Sequence, residues 1–197
     1  MKKLLLTGFE PFLDFPVNPT QEIVRALDQT KINDHLIIGR ILPVDFQQSG
    51  KLTLEYINET HPDKVVALGL AAGRHKITPE RIAINCNDGD KDNSGHRPEG
   101  EPIIEDGPDG TFSTLPIKQI TEILNTNGYP AEISNSAGTY LCNNVMYHIL
   151  QEPLEAAGFI HIPASHDLAI RHGRIPSWSQ TDLTEAIKLA ITTMTAK

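Results

Sequence analysis

The sequence predicts an α/β fold, a three-layer α/β/α domain around a mostly parallel, twisted sheet. Uninterrupted apolar runs of strand length recur along the chain, and stretches with helical apolar spacing separate them. A strand covered on both faces by crossover helices needs such continuous apolar character, whereas a sheet wet on one face would alternate. Size agrees: 197 residues fall within the ~100–200 of one ordinary domain, so 1–197 is expected to form a single unit.

Residues 3–7 form a short apolar run stopped by Gly8, a buried strand. Asn18-Pro19-Thr20-Gln21 then supplies an N-cap, a proline at the first helical position and a glutamine three residues after the cap, ahead of Ile23, Val24 and Leu27 at helical spacing. Residues 36–42 read as a second strand, 52–58 as a helix ended by Pro62, and 65–70 as a third strand. Residues 79–87, with Ile82 and Ile84 alternating, read as one strand and would include Cys86. Residues 87–110 are dominated by Asp, Asn, Gly, Glu and Pro and read as a long polar surface excursion. Ile117, Ile120, Ile123 and Leu124 mark a helix closed by Gly128. A short strand at 131–134, a helix from near Cys142, an apolar strand at 158–162 and a last helix from near Ser179 complete the alternation. Sites in such sheets lie at the carboxyl ends of strands, which directs attention to 8–12, 70–74, 139–142 and 161–163.

Seventeen Lys and Arg against twenty-five Asp and Glu leave a net charge of −8, a poor match for nucleic acid, polyphosphates or an anionic membrane. The first apolar run ends at Thr7-Gly8, too short for a signal peptide, and no segment approaches the ~20 apolar residues of a membrane span, so the expected location is the cytoplasm. There the two cysteines, Cys86 and Cys142, are expected as thiols.

Cys142 follows a glycine turn and falls at or near a helix start. The amino end of a helix offers unpaired N–H groups and partial positive charge, which favour a thiolate and an oxyanion; the plain alternative is a small buried hydrophobe. His161 interrupts an otherwise apolar strand and suits a general base if that strand adjoins Cys142, while His166 competes for the role. Glu80, after Pro79, is either a surface charge or the carboxylate that orients a histidine. Asp88, Asp90, Asp92 and Glu99 fall at positions 1, 3, 5 and 12 of an EF-hand-like loop, but Asn93 stands where glycine belongs and Pro98 intrudes. His161, His166 and His172 lack a zinc-binding motif, so no metal is expected.

Five strings in order, TGFEPF at 7–12, VNP at 17–19, GR at 73–74 with ITPERIAIN at 77–85, SAGTYLCN at 136–143 and GFIHIP at 158–163, together resemble the pyroglutamyl peptidase I (pyrrolidone-carboxylate peptidase) family of cytosolic cysteine peptidases. The resemblance spans most of the chain. It implies removal of an amino-terminal pyroglutamyl residue from peptides, with Cys142 as nucleophile, His161 rather than His166 as base and Glu80 as the acid that orients it. It implies no cofactor and a homo-oligomer, commonly a tetramer. By similarity Phe9, Phe12, Tyr140 and Leu141 line the pocket, backbone groups near Leu70 and Ala71 bind the lactam, and Asn18 both caps its helix and supports the pocket. A flat neutral lactam needs such an apolar pocket with a few hydrogen bonds. Two departures stand out: Leu70 where the family often has Gln, and residues 87–93 where many members place an arginine followed by Ile-Pro. Lys91 there lacks the planar fork of a guanidinium. Rival readings are a noncatalytic lactam-binding protein on the same scaffold, a nucleoside phosphorylase and a calcium-binding protein.

Overall fold

The computed structural model describes residues 1–12 and 15–196. In chain order the elements are β1 (Lys2–Phe9), α1 (Pro19–Leu27), β2 (Lys31–Ile32), β3 (His35–Leu42), α2 (Ser49–Thr60), β4 (Lys64–Leu70), β5 (Thr78–Pro79), β6 (Ile82–Ile84), β7 (Asn87–Asp88), β8 (Glu99–Glu101), β9 (Gly110–Phe112), α3 (Ile117–Thr126), α4 (Leu141–Ile149), β10 (Ala156–Ile162), β11 (Ala164–Ser165), α5 (His166–His172), β12 (Ser177–Trp178) and α6 (Gln180–Thr195).

The central sheet has the order β2-β3-β1-β4-β10-β5. Its four long strands are parallel, and the two-residue strands β2 and β5 pair antiparallel at the edges. The continuous apolar runs are buried on both faces, as expected. Leu4, Leu6, Val66, Leu68, Ile160 and Ile162 join the layer of α1, α3 and α6, while Leu5, Val65, Ala67 and Phe159 join that of α2 and α4. Alternate residues of one strand thus serve two cores, the period-two consequence of strand geometry.

Helix starts follow the sequence closely. Asn18 caps α1 by accepting from the Thr20 N–H at 3.1 Å, with Pro19 at the first helical position. Ser179 caps α6 by accepting from the Asp182 N–H at 3.0 Å. Gly128, at φ +83°, takes the left-handed conformation that stops the chain just after α3.

Four expectations are corrected. Residues 79–87 do not make one strand: β5 ends at Pro79, after pairing with β10, and β6 pairs instead with β9. Cys86 lies between β6 and β7, in neither. Residues 131–134 form only isolated bridges, Ile77 with Ala131 and Glu80 with Ser134, so a bridged loop, and not a strand, leads to α4. Residues 87–110 are not a free surface excursion: they hold β7 and β8 and tie back through Asp88 N–H to Thr139 O and Asn93 N–H to Val44 O, both at 2.9 Å. α5, β11 and β12 have no counterpart in the sequence reading.

Candidate active site

The strand order reverses beside β1: β3 follows it on one side and β4 on the other. β1 and β4 pair only as far as Thr7 and Ala67, whereas β4 and β10 stay paired to Leu70 and Ile162. The carboxyl ends of β1 and β4 therefore lack a common ladder, which opens a crevice at the topological switch point where α/β sheets bind ligands. Phe9, Phe12, Asn18, Val44, Leu70, Tyr140, Leu141 and Cys142 line it, around an empty volume of about 250 Å³ that includes its mouth. A larger cavity of about 1010 Å³ beside α1 and α6 contains none of Cys142, His161 or Glu80, so chemistry and not volume selects the site.

Cys142 is the second residue of α4, where the first-turn N–H groups have no acceptor within the helix. Asn143 fixes this helix start. Fully buried, it accepts from Ile84 N–H at 2.9 Å and donates to Ile84 O at 2.8 Å and Cys86 O at 3.1 Å. Gly69 clears the space beside the thiol, for a β-carbon there would stand 2.8 Å from Cys142 Sγ.

His161 faces Gly69 across the β4–β10 register, which brings the imidazole alongside that sulfur. Its Nδ1 hydrogen bonds to Glu80 Oε1 at 2.7 Å, leaving Nε2 uncommitted while the Cys142 sulfur acts on the ring. The ring also packs on Phe159, with centroids 4.9 Å apart. Glu80 is placed by its own N–H, which donates to Phe159 O at 2.9 Å, and its side chain is wholly inaccessible to solvent.

Burial opposes a charge on His161, yet the negative sulfur of Cys142, its hydrogen bond and the Glu80 carboxylate outweigh it and push the imidazolium up to about 9. Burial likewise opposes ionisation of Glu80, but the bond and charge from His161, followed by Ser134 and Arg74, hold its carboxyl below the usual range. An imidazolium backed by a carboxylate is therefore favoured beside the Cys142 sulfur.

The other sequence-selected residues divide. Phe12 and Tyr140 face each other with centroids 6.4 Å apart. Phe9 serves both the crevice and the core. Asn18 both caps α1 and lines the crevice, its Nδ2 donating to Glu10 O at 3.1 Å. Ala71 does not line the crevice: its N–H is given to Ile162 O and its carbonyl accepts from Arg74 N–H, each at 2.9 Å. His166 is exposed and turns to Ser177 Oγ at 2.9 Å, so it does not compete with His161. The Lys91 carbonyl, not its ammonium, meets the site, accepting from the Tyr140 hydroxyl at 3.0 Å. Asp92 is buried and accepts from three backbone N–H groups and the Ser94 hydroxyl, which makes it a turn former. Among the described residues no three His, Cys, Asp or Glu side chains are grouped to hold a metal.

The reading of strand exits missed Val44, although the same carboxyl-end rule applied to the exit at Leu42-Pro43 would have found it. It also assigned no role to Arg74, which bonds Glu80 Oε1 at 2.7 Å.

A thiol at a helix start, set beside a buried hydrogen-bonded histidine–carboxylate pair on an α/β scaffold, can perform the chemistry of a cysteine-type hydrolase. Comparison with known proteins narrows that class. The family profile described as pyroglutamyl peptidase matches residues 2–197. A pyrrolidone-carboxylate peptidase from Oceanobacillus iheyensis is 56% identical over 196 residues, covering 97% of this chain and 98% of its own. One from Lysinibacillus sphaericus is 56% identical over 97% of this chain and 96% of its own. The solved pyrrolidone carboxyl peptidase from Thermococcus litoralis superposes with a TM-score of 0.94 at 41% identity, over 98% of this chain and 93% of its own. The chain belongs to the pyroglutamyl peptidase family.

Proposed function

We propose that this protein is a cysteine exopeptidase that hydrolyses the bond after an amino-terminal pyroglutamyl residue and releases pyroglutamate. The observation that carries the reading is Cys142 beside His161, whose Nδ1 is hydrogen bonded to buried Glu80, with the thiol lining an apolar crevice. Residues 1–197 are taken as one catalytic domain.

The Cys142 sulfur anion attacks the pyroglutamyl carbonyl carbon, and the oxygen of the tetrahedral intermediate takes hydrogen bonds from N–H groups at the start of α4. His161 gives its Nε2 proton to the departing amine, the C–N bond breaks, and a pyroglutamyl thioester remains. Neutral His161 then takes a proton from water, which attacks the thioester; the proton returns to the pair as pyroglutamate leaves. Glu80 holds the imidazole in one tautomer throughout. Phe9, Phe12, Tyr140 and Leu141 contact the faces of the lactam. Leu70 supplies the strand-end backbone to the lactam, and Ala71, outside the lining with its N–H and carbonyl both engaged, steadies that strand end. No step needs a cofactor.

Two free cysteines suit a reducing compartment, and the reading includes a cytoplasmic location. Among the described residues no helix is long and apolar enough to cross a membrane. The family resemblance supports a homotetramer, which light scattering of the purified protein checks directly.

Turnover of pyroglutamyl and prolyl conjugates of one fluorescent amine tests the function. Only the pyroglutamyl conjugate should be cleaved, with one pyroglutamate appearing per amine. Binding of pyroglutamyl peptide without release of amine would instead favour the lactam-binding alternative, which no observation now supports.

A further inference from the structure

A second charged side chain reaches the same carboxylate from the exit of β4. Arg74 Nη1 donates to Glu80 Oε1 at 2.7 Å, and that oxygen also receives His161 Nδ1 at 2.7 Å. The same nitrogen donates to the Thr78 hydroxyl, and Thr78 lies opposite His161 in the β5–β10 register. Arg74 is itself held by its backbone, the N–H bonding to Ala71 O directly after the strand that lines the crevice. Ser134 also helps to hold the Glu80 carboxyl ionised, but Oε2 has no hydrogen bond of ordinary geometry, so the two bonds of defined geometry both fall on Oε1.

This arrangement differs from a surface ion pair. Glu80 is wholly inaccessible, whereas the Arg74 side chain keeps 36% of its exposure, so a partly hydrated cation compensates a buried anion. During the proposed cycle His161 alternates between imidazolium and imidazole. With His161 neutral, a buried carboxylate held by imidazole alone would lose its cationic partner, and an unpaired buried charge is costly. Arg74 stays charged through both states.

We infer that Arg74 is a positioning residue for catalysis, which fixes Glu80 Oε1 so that Glu80 keeps orienting His161 when the imidazole is neutral. The inference rests on the proposed roles of Cys142, His161 and Glu80.

The test compares native protein, Arg74→Met, Arg74→Lys, Glu80→Gln and the Arg74→Met/Glu80→Gln double variant by kcat, KM and pH profile on a pyroglutamyl conjugate, with thermal melting alongside. For Arg74→Met, kcat should fall on the order of tenfold, the rate equivalent of one charge-assisted hydrogen bond, while KM stays within about twofold because the guanidinium does not line the crevice. The alkaline limb should move upward, since a cation that repels the imidazolium has gone. Arg74→Lys should recover part of kcat, and adding Arg74→Met to Glu80→Gln should cost nothing more. A folded Arg74→Met with native kcat and an unmoved limb, or an equal loss in both backgrounds, overturns the inference and leaves the proposed function standing. Native turnover in Glu80→Gln overturns instead the reading beneath it. Should Arg74→Met fail to fold, Arg74→Gln is read in its place, and a folded Arg74→Gln with native kcat and an unmoved limb would overturn the inference.

Discussion

Replacing Gly69 with alanine tests whether the space beside the thiol is part of the machinery. A β-carbon at Gly69 would stand 2.7 Å from Cε1 and Cζ of Phe159 and 2.8 Å from Cys142 Sγ, where ordinary contact begins at 3.4 Å. The ring must retreat by about 0.7 Å and the sulfur by about 0.6 Å, and neither move is free. Phe159 is fully buried and packs on His161, so its retreat is passed to the imidazole. Overpacking of this kind costs about 1–3 kcal/mol, which lowers Tm by about 2–4 °C per kcal/mol in a chain of this size. Misplacing reacting groups by an ångström costs ~100-fold in rate, so shifts of this size predict a loss of kcat/KM of about 10- to 100-fold. Turnover of a pyroglutamyl conjugate at a temperature well below the variant's Tm separates the rate effect from unfolding. Gly73→Ala is the control, because nothing lies within 4 Å of a β-carbon there. A folded Gly69→Ala protein with native kcat/KM would refute the reasoning.

Three further outcomes are expected. Asn143→Ala strips the partner from one N–H and two carbonyls around Ile84 and Cys86; chemical denaturation should show a loss of about 2–4 kcal/mol, and a change below 1 kcal/mol would mean that Asn143 does not hold α4 to β6. Because His161 stays protonated up to about 9, kcat/KM should hold from neutral pH and fall only near pH 9, as the proton for the leaving amine is lost; a fall centred near 6.5 would contradict the ion pair. His148 is packed against Gly50 and its burial lowers its pKa below 6.5, so the unfolded chain binds the proton more readily than the native one. That contribution to stability is complete above 6.5 and declines as pH falls below it, and urea midpoints should show this decline flattened in His148→Gln.

The legibility of the sequence follows from how local each signal is. Leu4 to Thr7 and Val65 to Leu70 announced buried parallel strands because both faces of such a strand are apolar. Asn18-Pro19 and Ser179 announced helix starts because caps act within three residues. His161 could be singled out because an imidazole inside an apolar strand asks for a partner. What remained hidden depended on pairing across the chain. Nothing local says that Pro79 ends one strand and Ile82 begins another, since their partners, β10 and β9, lie far along the sequence. Glu80 reads as a surface charge until His161 and Arg74 are brought to it. The same holds for residues 87–110, whose polar composition conceals that Asp92 is buried by bonds to its own turn and to the Phe46 N–H. The five-string resemblance supplied what periodicity could not, the choice of His161 over His166; in the fold His161 meets Glu80 while His166 turns to Ser177.

Cys142 as the nucleophile is the centre of this account, and turnover of a pyroglutamyl conjugate by Cys142→Ser, measured beside Cys86→Ser and native protein under reducing conditions with chelator, tests it most directly. The account predicts that Cys142→Ser loses turnover while keeping the native Tm within a few degrees, and that Cys86→Ser retains it. Turnover retained by Cys142→Ser, or lost equally by a folded Cys86→Ser, would contradict it.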